Sequence, residues 1–293
     1  MKLKITFGIL ALTLAMGCRN ASNSSEQAIS TDSLPVNQTD KKTQSVYYRF
    51  PTPDELFTFI KKENIKYNPE ILNPVSNISR YVNSKAQTIA LGVYLADLSY
   101  ITLFESYNYS LEYYKAIHSL SEKVKITSAY DLSIAKRIEK NLLNLDSLKQ
   151  ISTESYAGIV EFLIMNNREK TLALIAAGAY IECFYLTFKL TDKNEAHNPL
   201  KTRVADFKYA FENLYSYLTI YSDDKQVAQV AEQLKGVHEL FSSIKSSKKT
   251  KTKVRQDKEG NLIFEGGSKL EITAEQYSQL KEMIFAVRKS FIE

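Results

Sequence analysis

Two stretches of the chain, Ile89 to Phe104 and Leu172 to Phe188, are apolar around nearly their whole circumference when wound as helices. A helix of that kind has no face to give to water, so other helices must surround it. The expectation is a mainly α protein: a multi-helix bundle with these two segments at its centre. Each segment carries one carboxylate, Asp97 in the first and Glu182 in the second. These charges break the apolar runs and argue against membrane-spanning helices.

A carboxylate among apolar neighbours is expensive unless it is paired. If the two central helices face one another, Asp97 and Glu182 can share a proton, bind an arginine such as Arg80, Arg137 or Arg168, or hold a metal. The competing reading is purely structural, with each carboxylate satisfied by tyrosine hydroxyls, Ser99 or an arginine. The segments also echo one another. Ala90-Leu-Gly-Val-Tyr-Leu95 and Ala176-Ala-Gly-Ala-Tyr-Ile181 share a small residue, Gly, Tyr and a branched residue at one spacing. Duplication of a helical unit explains this, and so does a common need for close backbone approach at Gly. Asp97, Glu182, Tyr94 and Tyr180 are therefore the candidate ligand-binding residues.

Cap signals divide the remainder. Thr52-Pro-Asp-Glu55 predicts a short helix to about Lys62, and Asn68-Pro69-Glu70 a further turn or two. A helical tract follows Pro74 to about Ser106, with a restart at the box Ser84-Lys-Ala-Gln87. Further helices are expected at Asn108 to Val124, Ala129 to Leu143, Glu154 to Asn166, Arg168 to Leu190, Pro199 to Tyr221 and Lys225 to Ile244. Beyond Lys245 the character changes. A lysine-rich stretch leads into Lys251 to Asp257, which Glu259-Gly-Asn261 joins to Leu262 to Glu265 as a small C-terminal β-hairpin, with a third strand at Leu270 to Ile272. Thr273-Ala-Glu-Gln276 then starts a closing helix whose stripe is Tyr277, Leu280, Ile284, Val287 and Phe291.

The N-terminus carries an address. Lys2 and Lys4 precede the apolar run Ile5 to Met16, and Leu10-Ala-Leu-Thr-Leu-Ala-Met-Gly-Cys18 ends it with a small residue before cysteine. This resembles the lipobox of bacterial lipoproteins, and the chain as a whole is similar to uncharacterised α-helical lipoproteins of the bacterial envelope. The resemblance implies that residues 1–17 are a signal peptide and that Cys18 becomes a diacylated, N-acylated terminus carrying palmitate-like chains. Two or three chains anchor durably where one does not. Residues 18–46, poor in apolar side chains, then read as a polar tether, residues 47–245 as the helical bundle, and residues 246–293 as basic linker, hairpin and closing helix. Arg19, rather than Asp, follows the acylated cysteine, which in such lipoproteins implies the outer membrane. The neutral stretch after it favours the periplasmic face.

Other chemistry is thinly represented. Once Cys18 is acylated, Cys183 is the one remaining thiol, and its apolar surroundings predict a buried, inert group. His118 and Glu122 share a helical face, but the three histidines form no zinc pattern, and no metal or cofactor is expected. After Cys18 the chain holds 36 basic and 33 acidic residues, a balance that gives no general argument for nucleic acid. Tyrosine is abundant, 19 in all, and clusters at Tyr107 to Tyr114 and Tyr209 to Tyr221, where aromatic platforms suit peptide or sugar contacts. The leading expectation is a membrane-anchored, non-enzymatic binding or scaffolding module for an envelope protein or small molecule. The alternative is an enzyme or metal-binding protein centred on Asp97 and Glu182.

Overall fold

The computed structural model describes residues 52–57, 65–127, 136–137, 140–141, 144–191, 199–247, 250–256, 262–267 and 269–293. The lipobox, the tether and most of the helix expected at Ala129 to Leu143 lie outside these residues. The remainder is a mainly helical bundle with a short antiparallel ribbon before the last helix. Its helices are α1 (Pro53–Phe57), α2 (Ser84–Leu103), α3 (Tyr107–Val124), α4 (Leu145–Met165), α5 (Glu169–Thr191), α6 (Pro199–Ile220), α7 (Lys225–Ser243) and α8 (Ala274–Ile292). Two 3-10 turns, Pro69–Ile71 and Val75–Arg80, lead into α2.

Side-chain caps set most of these boundaries. The Asn68 side chain accepts the Glu70 N–H, as its sequence context predicts. Helix α2 starts at Ser84 as expected, but the capping residue is Asn83, whose Oδ1 accepts the Ala86 N–H at 2.9 Å. Gln87, instead of closing a box, donates to the Tyr81 carbonyl at 3.0 Å. Helix α4 begins well before the expected Glu154, because Asn144 supplies a cap by accepting the Ser147 N–H. The box Thr273/Gln276 forms at the start of α8. Four described strands, β1 (Lys245–Ser246), β2 (Thr250–Gln256), β3 (Leu262–Gly267) and β4 (Leu270–Glu271), make two antiparallel pairs. The expected third strand exists as β4, but it pairs with β1 instead of extending the hairpin of β2 and β3.

Helices α2 and α5 occupy the centre. Every residue from Thr88 to Thr102 is buried, as is every residue from Leu172 to Phe184. Both helices are long and apolar enough to cross a membrane, yet 83% and 89% of their apolar windows are covered by protein. Core-helix burial explains their composition. At their crossing the backbones touch through the two echoed glycines. A Cβ on Gly92 would collide with the Ile175 carbonyl and come within 2.8 Å of the Ala179 nitrogen, while one on Gly178 would collide with the Ile89 carbonyl. Each glycine thus lies over the carbonyl three residues before its counterpart, an arrangement with local two-fold symmetry.

Asp97 lies five residues beyond Gly92, and Glu182 four beyond Gly178. The two side chains meet, so α2 and α5 run in the same direction from the crossing. The bundle therefore has two distinguishable ends. At the start of α2 and α5, Lys85 reaches Gln229 and Lys170 pairs with Asp223 at 2.6 Å. There Arg168 donates to the carbonyls of Val124 and Lys125, at 2.8 and 2.7 Å. These bonds occupy backbone groups that the end of α3 leaves open. At the opposite end Phe57 meets Tyr100 edge-on at 6.1 Å and Phe188 meets Tyr277 at 5.2 Å. The Lys208 ammonium donates to the Ile244 carbonyl at 2.8 Å, holding the root of the ribbon to α6.

Candidate functional site: a buried carboxyl pair held by arginine

The two central carboxyl groups converge, and both residues are 0% exposed. Their arginine comes from α8. Arg288 donates from Nε to Glu182 Oε2 at 2.8 Å and from Nη2 to Oε1 at 2.9 Å, a two-pronged, charge-assisted contact. Its guanidinium carbon stands 4.1 Å from the centre of the Tyr185 ring, and Phe285 packs on that same ring at 5.0 Å. The cation is thus clamped between a carboxylate and an aromatic face, an arrangement favourable when water is excluded.

Asp97 is held differently. Its Oδ2 accepts the backbone N–H of Asn73 at 3.3 Å, while Oδ1 has no donor. Asp97 and Glu182 interact, so the ionisation of each depends on that of the other. Burial, then the charge of Glu182, push Asp97 well above the ordinary carboxyl range. Burial also raises Glu182, but Arg288 opposes that rise through both charge and hydrogen bonds. Burial disfavours the Arg288 cation, and the attraction of Glu182 outweighs it, so the guanidinium stays charged. The consistent assignment is a neutral Asp97 beside an ionised Glu182. Carboxylate and guanidinium then cancel, and the buried cluster carries no net charge.

A shell of tyrosines surrounds the Asp97 side. Tyr113 donates its hydroxyl to the Asn73 carbonyl at 3.0 Å and Tyr94 to the Pro74 carbonyl at 2.8 Å. The Asn73 amide donates to the Tyr81 hydroxyl at 2.9 Å and accepts from Asn77 at 2.8 Å. The rings of Tyr81, Tyr94 and Tyr113 meet edge-on, at 6.4 and 5.9 Å. Burial raises all three hydroxyls above their usual range, which keeps them neutral donors. This network fixes the Pro-containing segment ahead of α2, and through Asn73 it fixes Asp97.

Asp97 and Glu182 are together, and Tyr94 is one link away through the Asn73–Pro74 backbone. Tyr180 is fully buried and packs edge-on against Phe184 at 6.1 Å. None of the three arginines proposed as partners serves. Arg80 is exposed, Arg137 pairs with Glu154 at the surface at 2.9 Å, and Arg168 holds the end of α3. Arg288 was legible in principle: four beyond Ile284 and three before Phe291, it falls on the buried stripe of α8, where a cation demands a partner.

Cys183 is fully buried, and burial pushes its thiol well up. Glu122 is exposed and His118 half-buried, while His238 stacks on Tyr215 at 4.1 Å. Among the described residues no group of three histidine, cysteine or acidic side chains is placed to hold a metal ion. Cys18 lies outside the described residues. No family model, no curated protein and no solved structure matches the chain.

Proposed function

We propose that the chain is a lipid-anchored, non-enzymatic binding or scaffolding module of the bacterial cell envelope. In this reading Cys18 is acylated and holds the helical body on the periplasmic face of the outer membrane. The outer surface of the bundle meets another envelope protein or a small ligand. The observation that supports a non-enzymatic role is the way the buried carboxyl pair is used. Both Glu182 oxygens are taken by Arg288, one Asp97 oxygen by Asn73, and neither residue has any exposed surface. An internal lock of this kind accounts for charges inside apolar helices without a substrate. Recognition then falls to exposed aromatic positions such as Tyr109 and Tyr209, 41% and 59% exposed.

One observation favours the second reading, in which Asp97 and Glu182 belong to an enzyme or ligand site: an acid and a carboxylate lie side by side with their ionisation driven apart, the arrangement that acid–base chemistry uses. Asp97→Asn separates the two. A structural lock keeps its fold and every ligand interaction in this variant, whereas a site loses ligand at unchanged melting temperature. The anchor is tested by the intact mass of protein taken from native membranes. The mass should correspond to a chain beginning at Cys18 with a diacylglyceryl group and an added acyl chain. An unmodified thiol at Cys18 would overturn the reading.

A further inference from the structure

Four chain junctions come together at the end of the bundle where α2 and α5 begin: the entry to α2, the end of α3, the turn from α4 into α5 and the turn from α6 into α7. Arg168 ties the α4–α5 turn to the end of α3, and Lys170 ties it to Asp223 in the α6–α7 turn. Lys85 of α2 reaches Gln229 in the second turn of α7 at 3.0 Å. These bonds gather the four junctions into one end face.

That face collects side chains that the core has left out. Among the described residues four large aliphatic side chains stand exposed, Val82, Met165, Ile220 and Met283, and the first three lie here, at 81%, 59% and 59% exposure. Val82 precedes α2 by two positions, and Met165 and Ile220 are the last residues of α4 and α6. A lone exposed aliphatic residue is ordinary on a protein surface; their concentration on one end is the feature to explain. Basic residues stand between them. The junctions, residues 80–85, 122–127, 165–170 and 220–225, hold seven basic and four acidic residues. Three of the acids are already engaged: Glu169 is buried, Asp223 pairs with Lys170, and Asp224 accepts the Gln226 and Val227 N–H groups as the cap of α7. Arg80, Lys123, Lys125 and Lys225 are exposed, and the remaining acid beside them is the exposed Glu122.

Aliphatic tips set among lysines fit an anionic lipid surface better than a protein. Protein interfaces concentrate aromatic side chains and arginine at their centre and are poor in lysine. The exposed tyrosines Tyr109 and Tyr209 lie elsewhere, Tyr109 at the opposite end beside Tyr67 and Tyr209 midway along α6. A lysine gains from an anionic headgroup layer, and an aliphatic side chain gains by entering the boundary between headgroups and acyl chains. Neither gain needs a shaped pocket. We propose that this end face is a lipid-contact surface, on which Val82, Met165 and Ile220 enter the headgroup region of an anionic phospholipid leaflet while Lys123, Lys125 and Lys225 meet its phosphates. The contact stands α2 and α5 end-on to the bilayer, and it does not depend on acylation of Cys18.

The test uses the full chain carrying Cys18→Ser, which removes the acylation site, and vesicles of phosphatidylcholine alone or with phosphatidylglycerol. Cys183 is buried, so one added thiol takes a polarity-sensitive dye: Thr219→Cys beside Ile220 on the end face, or Tyr209→Cys on the side of α6. Dye at position 219 should gain emission several-fold on the anionic vesicles, and dye at position 209 should not. The gain should fall as salt is raised. It should be lost in the triple variant Val82→Ser, Met165→Ser, Ile220→Ser and in the triple variant Lys123→Gln, Lys125→Gln, Lys225→Gln, both with unchanged melting temperature because the altered side chains are exposed. No gain at position 219, equal gains at both positions, equal gains on both vesicle types, or a gain that survives either triple substitution overturns the proposal. So does a dye at position 219 that is silent on vesicles but responds to soluble polyglutamate, which would make the face a site for an acidic protein.

Discussion

The three residues at the centre make unequal contributions, and substitutions should reveal the inequality. Removing Arg288 leaves Glu182 buried with no counter-ion, so Arg288→Ala should cost about 3 to 5 kcal/mol in chemical denaturation. Glu182→Gln strands the guanidinium in the same way and should cost a similar amount. Asp97→Asn replaces a neutral donor by a neutral donor of the same shape and should stay within about 1.5 kcal/mol of the native chain. Asp97→Ala, which also opens a cavity and abandons the Asn73 N–H, should be clearly worse. The acid dependence has a fixed sign. Asp97 and Glu182 are both raised in the folded chain, so between the ordinary carboxyl range and their raised values the native state holds more protons than the unfolded state. Stability should therefore fall as pH rises through that window, and Asp97→Asn should flatten the fall in urea melts run across pH.

At the scale of elements, the two echoed glycines decide whether α2 and α5 can cross. Gly92→Ala and Gly178→Ala each force a methyl into a partner carbonyl. Backbone cannot yield as a flexible side chain does, so each should cost about 1 to 3 kcal/mol or more, read as a lowered melting temperature. Surface alanines placed in α7 should not have that effect. The helical elements were largely legible because their signals are local: a cap, an apolar period, a proline at the first turn. The starts of α6, α7 and α8 follow from such signals. Where expectation and structure differ, a competing cap explains the gap, Asn83 beside Ser84 and Asn144 ahead of Glu154. The pairing of β4 with β1 was not legible, because two-residue strands carry no period and their partners are separated by the whole hairpin.

At the scale of the molecule, the sequence identifies which charges are buried but not what they meet. Asp97 and Glu182 stand out against apolar neighbours, whereas Arg288 sits 106 residues beyond Glu182 on a helix whose docking partner no local pattern names. The same holds for Asn73, whose polar contacts arise only when the segment before α2 folds back over it. In the proposed function the polar interior of the bundle serves its own architecture and recognition is left to its outer surface. Carboxyl ¹³C NMR of the folded protein, titrated with Asp97 and Glu182 assigned, tests this most directly. A protonated Asp97 beside an ionised Glu182 at neutral pH, both shielded from solvent exchange, is the predicted result. An ionised Asp97 titrating in the ordinary carboxyl range, in rapid exchange with water, would contradict it.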